Sequence, residues 1–155
     1  MISPELLRRY LFFSFLGEAQ LKAVAMIAEE IVLPAEAIIF ENDELAEYLY
    51  LLLEGSADII YRVNHPERPG LDLEFYVGEL CSGDVFGISA LIEPYIYTST
   101  VRAASPVRFI KMKALALRAL CEVDSQLAYG LMRQTAKAAM DRLHSTRVQL
   151  AAARA

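Results

Sequence analysis

Gly83-Asp84-Val85-Phe86-Gly87-Ile88-Ser89-Ala90-Leu91-Ile92, followed shortly by Thr98-Ser99-Thr100-Val101-Arg102-Ala103, is the most telling part of this 155-residue chain. Ser82-Gly83-Asp84 is a turn signal, because Gly and Asp accept the backbone angles and local hydrogen bonds of a tight turn. Gly87 has no Cβ and lets the backbone come close to a ligand. Gly87-Ile88-Ser89-Ala90-Leu91 can supply a helix start, whose first N–H groups are unpaired and carry positive partial charge. Thr98 and Ser99 can add hydroxyl donors. Neighbouring residues of a strand face opposite sides, so Val101 is expected inside and Arg102 outside.

On the N-terminal side of this block the pattern changes twice. Glu5 to Ile31 reads as helical, with Leu6, Leu7 and Tyr10 as a first apolar stripe, and Leu21, Val24, Ala25, Ile27 and Ala28 resuming after Gly17. Leu33-Pro34 ends that region, since proline disfavours helix in the residue before it. Short apolar runs then alternate with turns: Ile38-Ile39-Phe40, Tyr48 to Leu53, Ala57 to Val63, Leu71 to Val77 and Val107 to Met112 are candidate strands. Several short strands at such spacing predict a sandwich or barrel.

On the C-terminal side, Lys113 to Glu122 reads as a short helix. Asp124 or Ser125 is an N-cap for a long one reaching towards Arg154. Along that helix Tyr129, Met132, Ala136, Ala139, Leu143, Thr146, Leu150 and Ala153 step by threes and fours, a seam of period 3.5. The seam can dock on the helix's own domain or pair with a second copy. Its length past Ala136 favours a parallel homodimer.

Composition bounds the function. The chain is 55% hydrophobic and 23% charged, with a net charge of −5. That is one globular domain, and scattered Lys and Arg on an acidic chain argue against a sequence-independent grip on nucleic acid. No apolar run reaches the roughly 18–20 residues of a membrane span, and no export signal is read, so a soluble, cytoplasmic protein is expected. Cys81 and Cys121 are too few for a disulfide framework and are expected to be buried free thiols. His65 and His144 lie in unrelated settings, which argues against a metal site. Ser89 and Cys81 have no local base to activate them, and Glu29-Glu30 and Glu41 to Glu44 read as solvated acids, so no enzyme is expected.

The block from Gly83 to Ala103 resembles the phosphate-binding cassette of cyclic-nucleotide-binding domains, the family of the bacterial catabolite activator and the protein kinase A regulatory subunits. Leu33-Pro34-Ala35, Ile39-Phe40 and Tyr48 to Gly55 fall at the family's places as well. The resemblance implies a mainly β fold with flanking helices: a β-roll, or double-stranded jelly roll, over 36–112, an N-terminal helical region over 1–35, and C-terminal helices over 113–155, all one domain. Glu36 and Asp43 stand where the family often has glycine. Asp43 suits a left-handed turn, whereas Glu36 implies a different one.

The resemblance also assigns a site: Phe86, Gly87, Ile88, Ser89, Ala90, Leu91, Tyr97, Thr98 and Ser99. Ile88 takes the place of the family's ribose-binding glutamate, and Tyr97 that of its phosphate-binding arginine. Ile88 accepts no hydrogen bond, and Tyr97 brings neither positive charge nor a bidentate fork. Two charged anchors at about 1.5–3 kcal/mol each correspond to roughly a hundred- to ten-thousandfold in affinity. The implied function is a regulatory or sensing module with weakened or lost cyclic AMP or GMP binding. The alternatives are an interaction and dimerisation module with a closed pocket, and a domain that still holds a cyclic nucleotide through backbone groups. No cofactor is assigned. Expected partners are a second copy through the last helix and either a small molecule or another protein. With no winged helix-turn-helix after that helix, DNA contact is not expected.

Overall fold

Strand β3 (Tyr48–Glu54) lies at the centre of the fold, and Leu49 to Leu53 are all buried. Consecutive strand residues face opposite sides, so burial of the whole run means that both faces of β3 are covered. The computed structural model describes residues 1–155. In it β3 belongs to an antiparallel sheet ordered β1-β8-β3-β6, with β1 Ala28–Leu33, β8 Val107–Lys113 and β6 Val85–Phe86. A second antiparallel sheet is ordered β2-β7-β4-β5, with β2 Ile38–Phe40, β7 Thr100–Ala103, β4 Ala57–Asn64 and β5 Asp72–Leu80. The two sheets form the expected β-roll. Helices α1 (Pro4–Arg8), α2 (Glu18–Met26), α3 (Ala114–Val123) and α4 (Ser125–Arg154) flank it and share one apolar core with it, through Leu7, Leu21, Val24, Leu117 and Leu131.

The N-terminal helical region is shorter than its apolar spacing predicts. Helix α2 ends at Met26, and Ala28–Leu33 is a strand paired along its whole length with β8. No glycine or proline marks the change. The pairing is long-range: Glu30 accepts from Arg108 at 2.9 Å, and Lys111 lies 3.3 Å from Glu29, so these two acids are ion-paired. Glu36 also departs from expectation, for it adopts the left-handed conformation (φ 72°), as Asp43 does (φ 70°). The turn is therefore kept without glycine, held by the Glu36 N–H on the Ala103 carbonyl at 2.8 Å. Cys81 is exposed, and only Cys121 is partly buried, so the expectation of two buried thiols does not hold.

Asp124 is the N-cap of α4, accepting from the Leu127 N–H at 3.1 Å, and its second carboxylate oxygen takes the Gln20 amide at 2.9 Å. One hydrogen-bonded acid thus starts α4 and joins it to α2. The inward stripe of α4 is Leu127, Gly130, Leu131 and Thr135, then the half-buried Ala138 and Arg142. This is not the seam of period 3.5. Tyr129, Met132, Ala136, Ala139, Leu143 and Leu150 all face solvent, as does every residue from Leu143 onward.

Gly130 decides how closely α4 approaches the N-terminal segment. A Cβ there would lie 2.0 Å from the ring of Phe15. Alanine in place of glycine favours a helix by about 1 kcal/mol, but overpacking costs about 1–3 kcal/mol. The steric effect is expected to win, because the ring must leave its seat. Gly130→Ala is therefore expected to lower unfolding stability by about 1 kcal/mol or more in urea titration, while an alanine at exposed Ser145 is expected to leave it nearly unchanged.

Candidate functional site

Strand β6 belongs to one sheet and β7 to the other, so the segment between them, residues 87–99, crosses the open end of the roll. Its first part is a single 3-10 turn, Ile88–Leu91, preceded by Gly87 in the left-handed conformation (φ 70°). A Cβ on Gly87 would lie 2.9 Å from the Tyr50 ring and 3.2 Å from the Tyr48 carbonyl oxygen. The close approach that requires glycine is thus to strand β3, not to a ligand. Ala90 and Leu91 are buried and belong to the core.

A cavity of about 140 Å³ lies beneath this crossing. Phe86, Gly87, Ile88, Ser89, Tyr97, Thr98 and Ser99 line it, so seven of the nine residues assigned from the sequence come together. Ala90 and Leu91 support the turn from below. Phe40, Ile59, Val85 and Val101 complete the apolar wall, and Ala138 and Arg142 close it from α4. The inward-facing position of Val101 follows from strand alternation. The α4 residues escape sequence reasoning, although the spacing Leu127, Leu131, Thr135, Ala138, Arg142 is itself a helical stripe.

Tyr97 is 3% exposed, and its ring lies flat on Phe40 with centroids 3.8 Å apart and planes 17° apart. Phe40 in turn stacks on Tyr50 and Phe86, and Phe109 meets both of those edge-on. The Tyr97 hydroxyl donates to the Tyr48 carbonyl at 2.7 Å and accepts from the Tyr48 N–H at 3.2 Å. Its hydrogen-bonding capacity is therefore spent on β3. Burial pushes the Tyr97 and Tyr50 hydroxyls above the ordinary phenol value of 10.0. Tyr97 is thus a neutral aromatic wall of the cavity, with its hydroxyl satisfied by strand backbone.

The rest of the crossing is tied to α3. Arg118 donates to the Ala90 carbonyl at 2.7 Å, and its guanidinium lies 4.0 Å from the centre of the Tyr95 ring. Tyr95 thus packs on α3. Arg102 points outward, as expected, and donates to the Tyr76 hydroxyl at 2.6 Å. His65 accepts from the Glu67 N–H within its own loop, whereas His144 stands exposed on α4.

Two measurements follow from the tyrosine geometry. Tyr97→Phe keeps the stack but leaves the Tyr48 N–H and carbonyl without their partner, and is expected to cost about 1–2 kcal/mol in urea unfolding. Below pH 10.0 the raised tyrosines contribute fully to stability; above it the unfolded phenols ionise first, so stability is expected to fall with rising pH. Tyr97→Phe is expected to make that alkaline loss shallower.

The fold has counterparts in known proteins. A protein of Geobacter metallireducens GS-15 named for cyclic nucleotide binding is 39% identical, covers 93% of this chain with 100% of its own, and superposes with a TM-score of 0.79. The sensor domain of the transcriptional regulator DNR from Pseudomonas aeruginosa shares the fold at 19% identity and a TM-score of 0.69, covering 87% of this chain and 91% of its own. A cyclic nucleotide-binding domain from Methylobacillus flagellatus KT shares it at 14% identity and a TM-score of 0.74, covering 94% and 78%. No curated protein sequence matches the chain. The family model for the cyclic nucleotide-binding domain matches residues 30–124, from the first strand to the cap of the last helix. With its roll, its crossing between the sheets and its flanking helices in the same order, the chain belongs to the cyclic nucleotide-binding domain family.

Proposed function

We propose that this is a non-enzymatic sensing module that has lost high-affinity binding of cyclic AMP and cyclic GMP and keeps a smaller cassette cavity. The observation that carries this reading is Tyr97, buried in the arginine's place with its hydroxyl committed to Tyr48. Ile88 stands in the glutamate's place and presents no acceptor to a ribose hydroxyl. Size argues the same way, because pockets for drug-sized ligands run to about 300–1,000 Å³, against about 140 Å³ here. A signal leaves through the helices: Arg118 links the crossing to α3, and Ala138 and Arg142 of α4 wall the cavity. A ligand with different contacts in two α4 positions shifts the balance between them.

The outer face of α4 serves, in this reading, to pair two copies. Tyr129, Leu143 and Leu150 are 68%, 48% and 52% exposed along one helix. From Leu143 to Arg154 the helix has no cover from its own domain, and isolated helices of about 12–15 residues are marginal in water. A parallel pairing through the seam of Tyr129, Met132, Ala136, Ala139, Leu143 and Leu150 supplies that cover.

Calorimetric titration with cyclic AMP and cyclic GMP is expected to give no binding tighter than the high-micromolar range, and low-micromolar affinity for either refutes the reading. A thermal-shift series adds a check, since a ligand at a hundred times its dissociation constant adds about 2.7 kcal/mol of stability. Light scattering coupled to size exclusion is expected to give a dimer that Leu143→Glu with Leu150→Glu converts to monomer. A monomeric wild-type chain at tens of micromolar removes the pairing.

A further inference from the structure

Five arginines of this chain are partly buried: Arg62, Arg102, Arg108, Arg118 and Arg142. Arg62, Arg102 and Arg108 pair with glutamates, and Arg118 donates to the Ala90 carbonyl. Arg142 alone has no ion pair and no side-chain hydrogen bond. None of its guanidinium nitrogens is fully buried, so they stay open to solvent and to an acceptor that enters the cavity. Its place is the rim of the cassette cavity, which it walls from α4.

The backbone beneath Arg142 is shaped for it. Strand β5 carries a bulge: Ile59 pairs with Gly78 and Ile60 with Tyr76, so Val77 is the extra residue. A Cβ on Gly78 would lie 3.3 Å from Arg142 Nη1 and 3.3 Å from Ile59 Cδ1. The glycine at the bulge thus leaves a seat in which the guanidinium rests between α4 and the sheet. Around the same cavity Ser89, Thr98 and Ser99 carry hydroxyls with no side-chain hydrogen bond in the structure, and the remaining wall is apolar. Arg142 also lines the neighbouring groove, with Asp84, Asp141 and Lys137, and forms an ion pair with neither acid.

We propose that Arg142 is the anion anchor of this cavity, and that the ligand it recognises is a small carboxylate with an apolar body. The apolar wall of Phe40, Ile59, Val85 and Val101 takes the body; the guanidinium, with the free hydroxyls, takes the head group. At about 140 Å³ the cavity lies below the roughly 300–1,000 Å³ of pockets for drug-sized ligands, which favours a small ligand over a nucleotide. The charge that the crossing lost at Tyr97 is supplied from the helix instead. Binding then holds α4 to the sheet at Gly78, beside the point where its exposed half begins. This inference rests on the reading above that the cassette no longer serves cyclic nucleotides.

The test uses benzoate and hexanoate as probes, benzamide and hexanamide as neutral isosteres, and inorganic phosphate, with the full chain and with Arg142→Gln, Arg142→Lys and Gly78→Ala. Affinity is read by heteronuclear NMR titration, together with thermal shift. The carboxylates are expected to bind the wild type and the amides about ten- to a hundredfold more weakly. Arg142→Gln is expected to weaken carboxylate binding by about the same factor while leaving the protein folded, with Arg142→Lys between. Gly78→Ala, which makes the guanidinium give by a few tenths of an ångström, is expected to weaken carboxylate binding less than Arg142→Gln does. Carboxylates and amides binding alike, equal binding by Arg142→Gln, or no binding of either carboxylate at millimolar concentration overturns the proposal. Phosphate binding as well as the carboxylates, with the same dependence on Arg142, overturns the carboxylate assignment. If cyclic AMP binds tightly, the reading of the lost nucleotide site fails; if cyclic AMP and the carboxylates both fail to bind, that reading stands and only the anion anchor falls.

Discussion

The hydroxyl of Tyr97, set between the N–H and the carbonyl of Tyr48, holds the open end of the roll together without any ligand. Tyr97 precedes β7 of one sheet, Tyr48 opens β3 of the other, and the Tyr97 ring rests on Phe40 of β2. One side chain therefore fastens the crossing to both layers. An arginine at this depth leaves a desolvated charge unless an anion neutralises it, which makes order at the site depend on ligand. A tyrosine is satisfied by strand backbone and stacking alone. The architecture of the crossing here rests on contacts within the protein alone.

The last helix has two unlike halves, and the boundary between them lies at the cavity. Up to Arg142 one stripe of α4 is packed against the domain, started by the Asp124 cap and fitted closely at Gly130. Beyond Arg142 the whole circumference is exposed. In the reading proposed above, a change at the cavity wall reaches the docked half, and the free half as the continuation of the same helix. Arg118 provides a second, separate connection, from the Ala90 carbonyl to α3, so the crossing is held from two helices. Coupling of this kind needs only differential contacts in two arrangements, not a wire of residues.

Some features of the chain are local and could be read directly. The strands from Ile38 to Val63 and from Val107 to Met112 follow β-branched and aromatic runs between turn residues, and Asp124 announces α4 as a cap does. Val101 faces inward and Arg102 outward because strand alternation leaves no other choice. Other features are not local. Ala28–Leu33 carries helical spacing and becomes a strand because β8, nearly eighty residues away in sequence, offers it a ladder and the partners Arg108 and Lys111. Glu36 holds a left-handed turn that its residue type does not favour, because the Ala103 carbonyl fixes its N–H.

By itself the amino-acid order determined the family frame and put Ile88 and Tyr97 in the segment between the sheets, since each is a matter of residue type at a position. It also set the spacing of two stripes on α4 without saying which would be covered. Only the tertiary structure decided that Leu127, Leu131 and Thr135 face inward, that Tyr97 turns its hydroxyl to β3, and that Arg142 meets Gly78 over the cavity. The reason is physical. Period, caps and turn chemistry act over a few neighbouring residues, whereas burial and charge compensation are settled between segments brought together by folding, where one missing Cβ decides which side chain fits.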